Sequence, residues 1–429
     1  MRKFKKFACM SLVAMSLMLG ACAKTGNSDV KSTESTTLET TTEATQETET
    51  TTEETTTEET TTIQETTTVQ ETTVQETTTE EEETFDCGLA EFYKDYFKIG
   101  VALPSLVIKN TKKFEEPIVK DYNSITCENE MKPDALLDKA ACQADLENTY
   151  TNPAVKFNSC KAAIDFAIEH DMQIRLHTLV WHSQTPKWFF TEDYTDNGEL
   201  VSREVMLVRM ENYIKNVLTY FNENYPGLIY AVDVCNEAFD DGNGDENGIR
   251  MKDNLWYSTV GPDYYYQAFV FARKYAGEGM KLFYNDYGCM SKYNTIIKHL
   301  AQAKEEGLID GIGMQSHLSI TDDVQFKFKL AVKKFLEAGY ELQITELDIG
   351  MEEVTELNLY AQARKYKLVF QMLKEFKDEG YNVSSVTLWG IDDNHTWREG
   401  EFPLLYDKDL KPKKAYAGAM LSSKIPAIN

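Results

Sequence analysis

A chain of 429 residues with 42% hydrophobic content is long enough to bury a large core. Its formal net charge of −26 argues against nucleic acid as a partner, because a phosphate backbone would repel it. The charge is unevenly placed: residues 32–84 are almost wholly Thr and Glu and carry about sixteen of the acids, with no Lys or Arg between Lys31 and Lys94.

At the N-terminus, Arg2-Lys-Phe-Lys-Lys is a basic start, followed by an apolar run of about thirteen residues over 7–19, too short for a comfortable membrane-crossing helix. The pattern predicts an export signal over residues 1–21. The run closes on Leu-Gly-Ala-Cys22, which resembles the box of bacterial lipoproteins. That resemblance implies cleavage before Cys22, lipidation of its thiol and anchoring to the membrane at the cell envelope, with the remainder of the chain outside. Residues 22–86 have too little apolar surface to offset the entropy of ordering, and their charges repel one another, so a disordered tether is expected there. Its Thr-Val-Gln-Glu-Thr units make a low-complexity spacer, not a folding repeat. The folded domain is then expected over residues 87–429.

Beyond Cys9 and Cys22, the six cysteines Cys87, Cys127, Cys142, Cys160, Cys235 and Cys289 show no C-x-x-C spacing, which speaks against a zinc site. No metal and no cofactor are expected. A core of this size does not need disulfides, so mostly free, buried thiols are expected, with Cys235 and Cys289 in apolar strand-like runs.

From Gly88 onward, short apolar runs at 98–103, 124–127, 173–180, 229–235, 281–284, 311–317, 342–348 and 383–389 alternate with amphipathic stretches. The stretches at 160–169, 205–222, 264–275, 326–338 and 359–379 carry apolar residues at helical spacing. Eight strand-like runs separated by helices predict an α/β fold, a (β/α)8 TIM barrel, with a doubly wound open sheet as the alternative. Polar and aromatic residues gather at the C-terminal ends of nearly every run, and only a closed barrel brings all those ends to one face. Two of the acids there frame the reading: Asn236-Glu237 closes one run, and Glu346 lies in another about 110 residues later. Two carboxyl groups are the minimum for cleaving a glycosidic bond, one protonating the leaving oxygen and one attacking the anomeric carbon.

The residues at these ends carry a resemblance. Cys-Glu-Asn-Glu-Met-Lys-Pro at 127–133, His-Thr-Leu-Val-Trp-His-Ser-Gln at 177–184, Asp-Val-Cys-Asn-Glu-Ala at 233–238, Tyr-Asn-Asp-Tyr at 284–287, Asp-Gly-Ile-Gly-Met-Gln-Ser-His at 310–317 and Ile-Thr-Glu-Leu-Asp at 344–348 resemble, in order, the motifs of glycoside hydrolase family 10, the endo-β-1,4-xylanases. The resemblance implies a (β/α)8 barrel, retention of anomeric configuration and xylan as substrate class. Residue by residue it implies Glu237 as acid/base and Glu346 as nucleophile. Around them, His317 holds Glu346 ionised and is itself oriented by Asp348, while Asn236 donates to the sugar 2-hydroxyl. The negative charge of Glu346 is expected to raise the proton affinity of Glu237. Glu128, Asn129, Lys132, His177, Trp181, Gln184 and Gln315 are implied to line the sugar subsites on the non-reducing side, with Trp389 and Trp397 as an aromatic wall. Tyr287 receives no assignment.

Leu176 stands where the family usually has Gly, a departure that touches fit and not chemistry. Residues 241–248, Asp-Gly-Asn-Gly-Asp-Glu-Asn-Gly, alternate oxygen ligands as a calcium loop does. They place Glu246 where the sharp turn needs Gly, and Lys252 where a bidentate carboxylate would close the site, so they read as a loop at the cleft rim. Two other functions compete: action on another β-1,4-glycan such as cellulose, and glycan binding without turnover. The second is disfavoured by the presence of both acids with Asn236 and His317. A monomer is expected.

Overall fold

The computed structural model describes residues 83–240, 242 and 244–426. The export segment, Cys22 and nearly all of the Thr/Glu stretch lie outside the described residues, as do Asp241 and Asn243 of the rim loop. Glu83 and Phe85, which end that stretch, touch the folded body: the Ser422 hydroxyl donates to the Glu83 carboxylate, and the Phe85 ring lies 5.6 Å from that of Tyr416.

Eight strands form the centre: β1 (Lys98–Leu103), β2 (Ser124–Cys127), β3 (Gln173–Leu176), β4 (Ile229–Asn236), β5 (Lys281–Asp286), β6 (Gly311–Met314), β7 (Glu341–Gly350) and β8 (Val383–Leu388). Each pairs in parallel with the next, and β8 returns to β1 through Lys98↔Ser385 and Val101↔Leu388, so the sheet closes on itself. The open-sheet alternative is thereby excluded, and the architecture is a (β/α)8 barrel. The strands are buried on both faces because both are covered: all four residues of β2 are buried, as are nine of the ten in β7.

The helices Lys161–Glu169, Arg203–Asn224, Tyr264–Tyr275, Lys329–Glu337 and Glu356–Asp378 fall where the periodicity places them. Two longer helices, besides several of six residues or fewer, escape that reading. Thr111–Asp121 carries Pro117 internally and buries only Phe114, Ile118 and Asp121, while Cys289–Glu305 buries a thin stripe that includes Lys292. Cys289 therefore opens a helix and does not lie in a strand. The six described cysteines are free thiols, and all but the half-buried Cys87 are buried.

Two predicted strands are shorter than expected, both beside the mouth. β3 ends at Leu176 and the chain rejoins the sheet only as Val180–Trp181, against Cys235 and Asn236 of β4. β6 ends at Met314, and His317–Ser319 pairs instead with Asp348–Gly350 of β7. In the gaps the polar residues leave the ladder: Thr178 Oγ1 donates to the Asp233 carbonyl at 2.8 Å, and Ser316 takes a left-handed φ of 66°. Leu176 is fully buried and pairs with Val232, so the departure from Gly is absorbed by packing.

The barrel interior contains charge. Arg175 is buried, forms a forked ion pair with Asp233, and donates from Nε to the Gln343 amide oxygen at 2.9 Å. Asp233 also meets His177 Nδ1 at 2.9 Å, so the pair props a side chain of the mouth from below. Gly313 makes room for this layer: a Cβ there would lie 2.5 Å from Asn285 Oδ1 and 3.0 Å from Arg175 Nη2. Breaking such a pair leaves an uncompensated buried charge. Asp233→Ala is expected to lower unfolding free energy by about 3–5 kcal/mol, read from urea denaturation followed by circular dichroism.

Candidate active site

β4 and β5 run in register with Asn236 opposite Asn285, and this pairing builds the centre of the site. Asn285 Nδ2 donates to Asn236 Oδ1 at 2.9 Å and to Glu346 Oε1 at 2.7 Å, while Asn236 Nδ2 donates to Glu237 Oε1 at 3.2 Å. The two acids, distant in sequence, are thus joined through two side-chain amides. Gln315 Nε2 adds a bond of 2.9 Å to Glu237 Oε1. Glu237 is the first residue beyond β4 and holds a left-handed φ of 55°, with Gln184 at 45° and Ser316 at 66° nearby. Such conformations persist in side-chain-bearing residues only where surroundings over-determine them.

On the other side of Glu346, His317 spans two carboxylates, with Nε2 3.1 Å from Glu346 Oε2 and Nδ1 2.9 Å from Asp348 Oδ2. Burial opposes the negative charge of Glu346, but the His317 hydrogen bond, the charges of His177 and His317 and the Asn285 amide outweigh it and bring the pKa to about 2. Burial also opposes a charged imidazole, yet Asp348 and Glu346 lift His317 to about 10. Asp348 is itself held by Arg398 Nη1 at 2.7 Å and by the indole Nε1 of Trp397 at 3.0 Å.

Along one flank of the mouth, Glu128, Asn129, Lys132 and Gln184 form a mutual network. Lys132 Nζ donates to Gln184 Oε1 at 2.8 Å and to Asn129 Oδ1 at 3.2 Å, and lies 4.9 Å from the centroid of the Trp181 ring. Burial raises the Glu128 pKa and lowers that of Lys132, against the attraction each exerts on the other. Trp389 is buried edge-on to His177 and His317, whereas Trp397 is 56% exposed with its ring 4.9 Å from that of His317.

All of the sequence-predicted site residues from Glu128 to Trp397 line one cleft of about 650 Å³ except Asp348, which sits behind His317. Asn285, the amide between the two acids, is absent from the predicted set, although it stands at the same kind of strand end as Asn236; only register reveals it. Asp233 and Arg398 were missed because they act on other side chains and not on the cleft. The rim loop folds on itself, with Asp245 Oδ1 accepting from the amides of Asn247 and Ile249. Among the described residues no cluster of three or more His, Cys, Asp or Glu side chains could hold a metal.

A closed parallel barrel whose C-terminal mouth joins two acids through side-chain amides, with a histidine against one of them and an indole wall beside them, defines a (β/α)8 protein of the paired-carboxylate class. The chain belongs to glycosyl hydrolase family 10, whose description matches residues 88–421. It is similar to endo-1,4-beta-xylanase B of Butyrivibrio fibrisolvens, 38% identical over 333 residues that cover 76% of this chain and 51% of that protein. Endo-1,4-beta-xylanase A of Thermotoga maritima is 41% identical over 354 residues, covering 79% of this chain and 31% of that protein. The chain thus spans about half or less of the length of these curated relatives. Among solved structures, the CBM22-1 and GH10 modules of Clostridium thermocellum endo-1,4-beta-D-xylanase 10B, complexed with xylohexaose, are 36% identical with a TM-score of 0.71, covering 79% of this chain and 68% of that one.

The Glu346–His317 pair has a defined pH window. The depressed pKa of Glu346 gives stabilisation that is full above its usual value of 4.5 and lost as pH falls through about 2. The raised pKa of His317 gives stabilisation that is full below 6.5 and lost as pH rises through about 10. The difference in Tm between wild type and His317→Gln is therefore expected to be largest between about pH 4.5 and 6.5, and to shrink on both sides in thermal unfolding across pH 3–10.

Proposed function

We propose that the protein is a retaining endo-1,4-β-xylanase that cleaves internal bonds of xylan by double displacement. The observation that carries this reading is the pair of amides, Asn236 and Asn285, that joins Glu237 to Glu346 in a cleft with indole walls, with His317 held against Glu346 from the other side. The curated names of the relatives and the xylohexaose in the Clostridium structure support xylan as the substrate class.

In the first step a Glu346 oxygen bonds to the anomeric carbon while Glu237 passes its proton to the departing glycosidic oxygen, so that the C–O bond breaks without releasing an alkoxide. The electron pair that forms the new bond is available because His317 and Asn285 keep Glu346 ionised. In the second step Glu237, now a carboxylate, takes a proton from water as that water attacks the anomeric carbon and restores Glu346. Asn236 is poised beside Glu237 to donate to the sugar 2-hydroxyl, an interaction that strengthens in the transition state. Glu128, Asn129, Lys132, His177, Trp181, Gln184 and Gln315 receive the non-reducing-side sugars, hydroxyls on the polar groups and pyranose faces on Trp389 and Trp397.

We also propose that residues 1–21 direct export, that a lipid on Cys22 anchors the protein to the envelope, and that residues 22–86 tether the catalytic domain, which starts near residue 87, outside the membrane. The basic and apolar start, the Leu-Gly-Ala-Cys22 box and the acidic spacer support this arrangement.

Reducing-sugar release from xylan is expected to fall by at least about 10³-fold in Glu346→Ala and 10²-fold in Glu237→Ala, with early product of retained configuration by proton NMR. Full activity in Glu346→Ala, an inverted product, or faster hydrolysis of carboxymethyl cellulose than of xylan would reject the reading. Cys22→Ala is expected to move the protein from the membrane fraction to the medium, and an unchanged distribution would reject the anchor.

A further inference from the structure

Across the mouth from Lys132, Trp181 and Trp389, which follow β2, β3 and β8, the cleft is lined by Tyr287 just beyond β5. The barrel order puts this residue on the opposite half, where the sugar leaving with the glycosidic oxygen would lie. Tyr287 is 38% exposed, yet it is held from two directions. Lys292 Nζ stands 3.7 Å from its ring centroid, and the Arg250 guanidinium donates from Nη2 to its hydroxyl at 2.8 Å. The same guanidinium donates from Nε to the Glu237 carbonyl oxygen at 3.0 Å and pairs with Asp240 at 2.6 Å, and the Tyr287 hydroxyl donates to that Asp240 carboxylate at 3.2 Å. Arg250 itself is 8% exposed and anchored by its backbone, with N donating to the Ala238 carbonyl at 2.8 Å and O accepting from Asn254 Nδ2 at 2.9 Å.

Glu237 is where this clamp has most to act on. Its left-handed backbone is gripped at its amide by the Asn285 carbonyl at 2.9 Å and at its carbonyl by Arg250. A side chain on such a residue points where it does only while both peptide ends are fixed. We infer that Arg250 is a positioning residue that binds the backbone of Glu237 and the hydroxyl of Tyr287 into one rigid unit, setting the proton donor against the oxygen of the departing sugar. The inference rests on the reading of Glu237 as acid/base. A guanidinium is required because three partners lie around one planar fork, which an ammonium cannot match.

A misplaced proton donor hurts most where the leaving group most needs a proton, whereas general damage to the fold lowers all substrates alike. The test compares kcat/KM, which reports the first displacement, on phenyl β-xylobioside and on 2,4-dinitrophenyl β-xylobioside, whose leaving group needs no proton. For Arg250→Met the loss on the phenyl glycoside is expected to exceed that on the dinitrophenyl glycoside by at least about tenfold. Arg250→Lys falls between it and wild type, and Tyr287→Phe shows a smaller split in the same direction. If Arg250→Met does not fold, Arg250→Lys and Tyr287→Phe decide the matter by the same ratio. Equal losses on the two substrates, or no loss, overturn the inference. Glu237→Ala is the reference: absence of a split there overturns the acid/base reading itself, while a split there with none in the Arg250 and Tyr287 variants overturns only the role of Arg250.

Discussion

The nucleophile position of the barrel mouth is a buried carboxylate, Glu346, and the surrounding protein offers its charge less water than bulk solvent would. The structure meets that constraint by alternation. Glu346 is followed by His317, His317 by Asp348, and Asp348 by Arg398, which in turn pairs with Glu401 near the surface. Each charge has an opposite neighbour, so the buried end of the row is stabilised by partners and not by solvent. The amides of Asn236 and Asn285 cross the gap to Glu237 without adding charge, which lets the two acids differ in environment while sharing one frame.

The same logic extends into the barrel. Arg175 and Asp233 sit one layer below the mouth and fix His177 from beneath, and Gly313 leaves the space that Asn285 and Arg175 occupy. A small residue on β6 and a charged pair shared between β3 and β4 are therefore part of how the site is held, although none of them faces the cleft. The division of labour is that of barrels generally, with support below and chemistry in the loops and strand ends above.

Much of this was legible in the sequence. The strand runs appear as apolar stretches because both barrel faces are buried, and the polar residues at their ends stand out against that background, so Glu237, Glu346, His317 and the flank from Glu128 to Trp181 could be named in advance, while Gln184 is implied by the family resemblance alone. Asn285 stands at such an end too, but its role could not be read, because it lies in standing opposite Asn236, and lateral register is invisible along a single strand. The strands at 173–180 and 311–317 were read too long because alternation continues through residues that leave the ladder to serve the site. The helix Cys289–Glu305 was missed because one of its inward positions is Lys292, whose ammonium is neutralised by Asp286, a pairing that periodicity cannot anticipate.

One carboxylate has an outsized share of the local architecture. Asp348 accepts from the imidazole of His317, the indole of Trp397 and the guanidinium of Arg398, while its own backbone amide joins the strand ladder beside them. The half-exposed Trp397 ring and the imidazole beside Glu346 therefore hang on the same carboxylate, so a displacement of one is transmitted to the other. Mutational effects in this corner should be strongly epistatic, and pairwise scans will describe it better than one-at-a-time substitution.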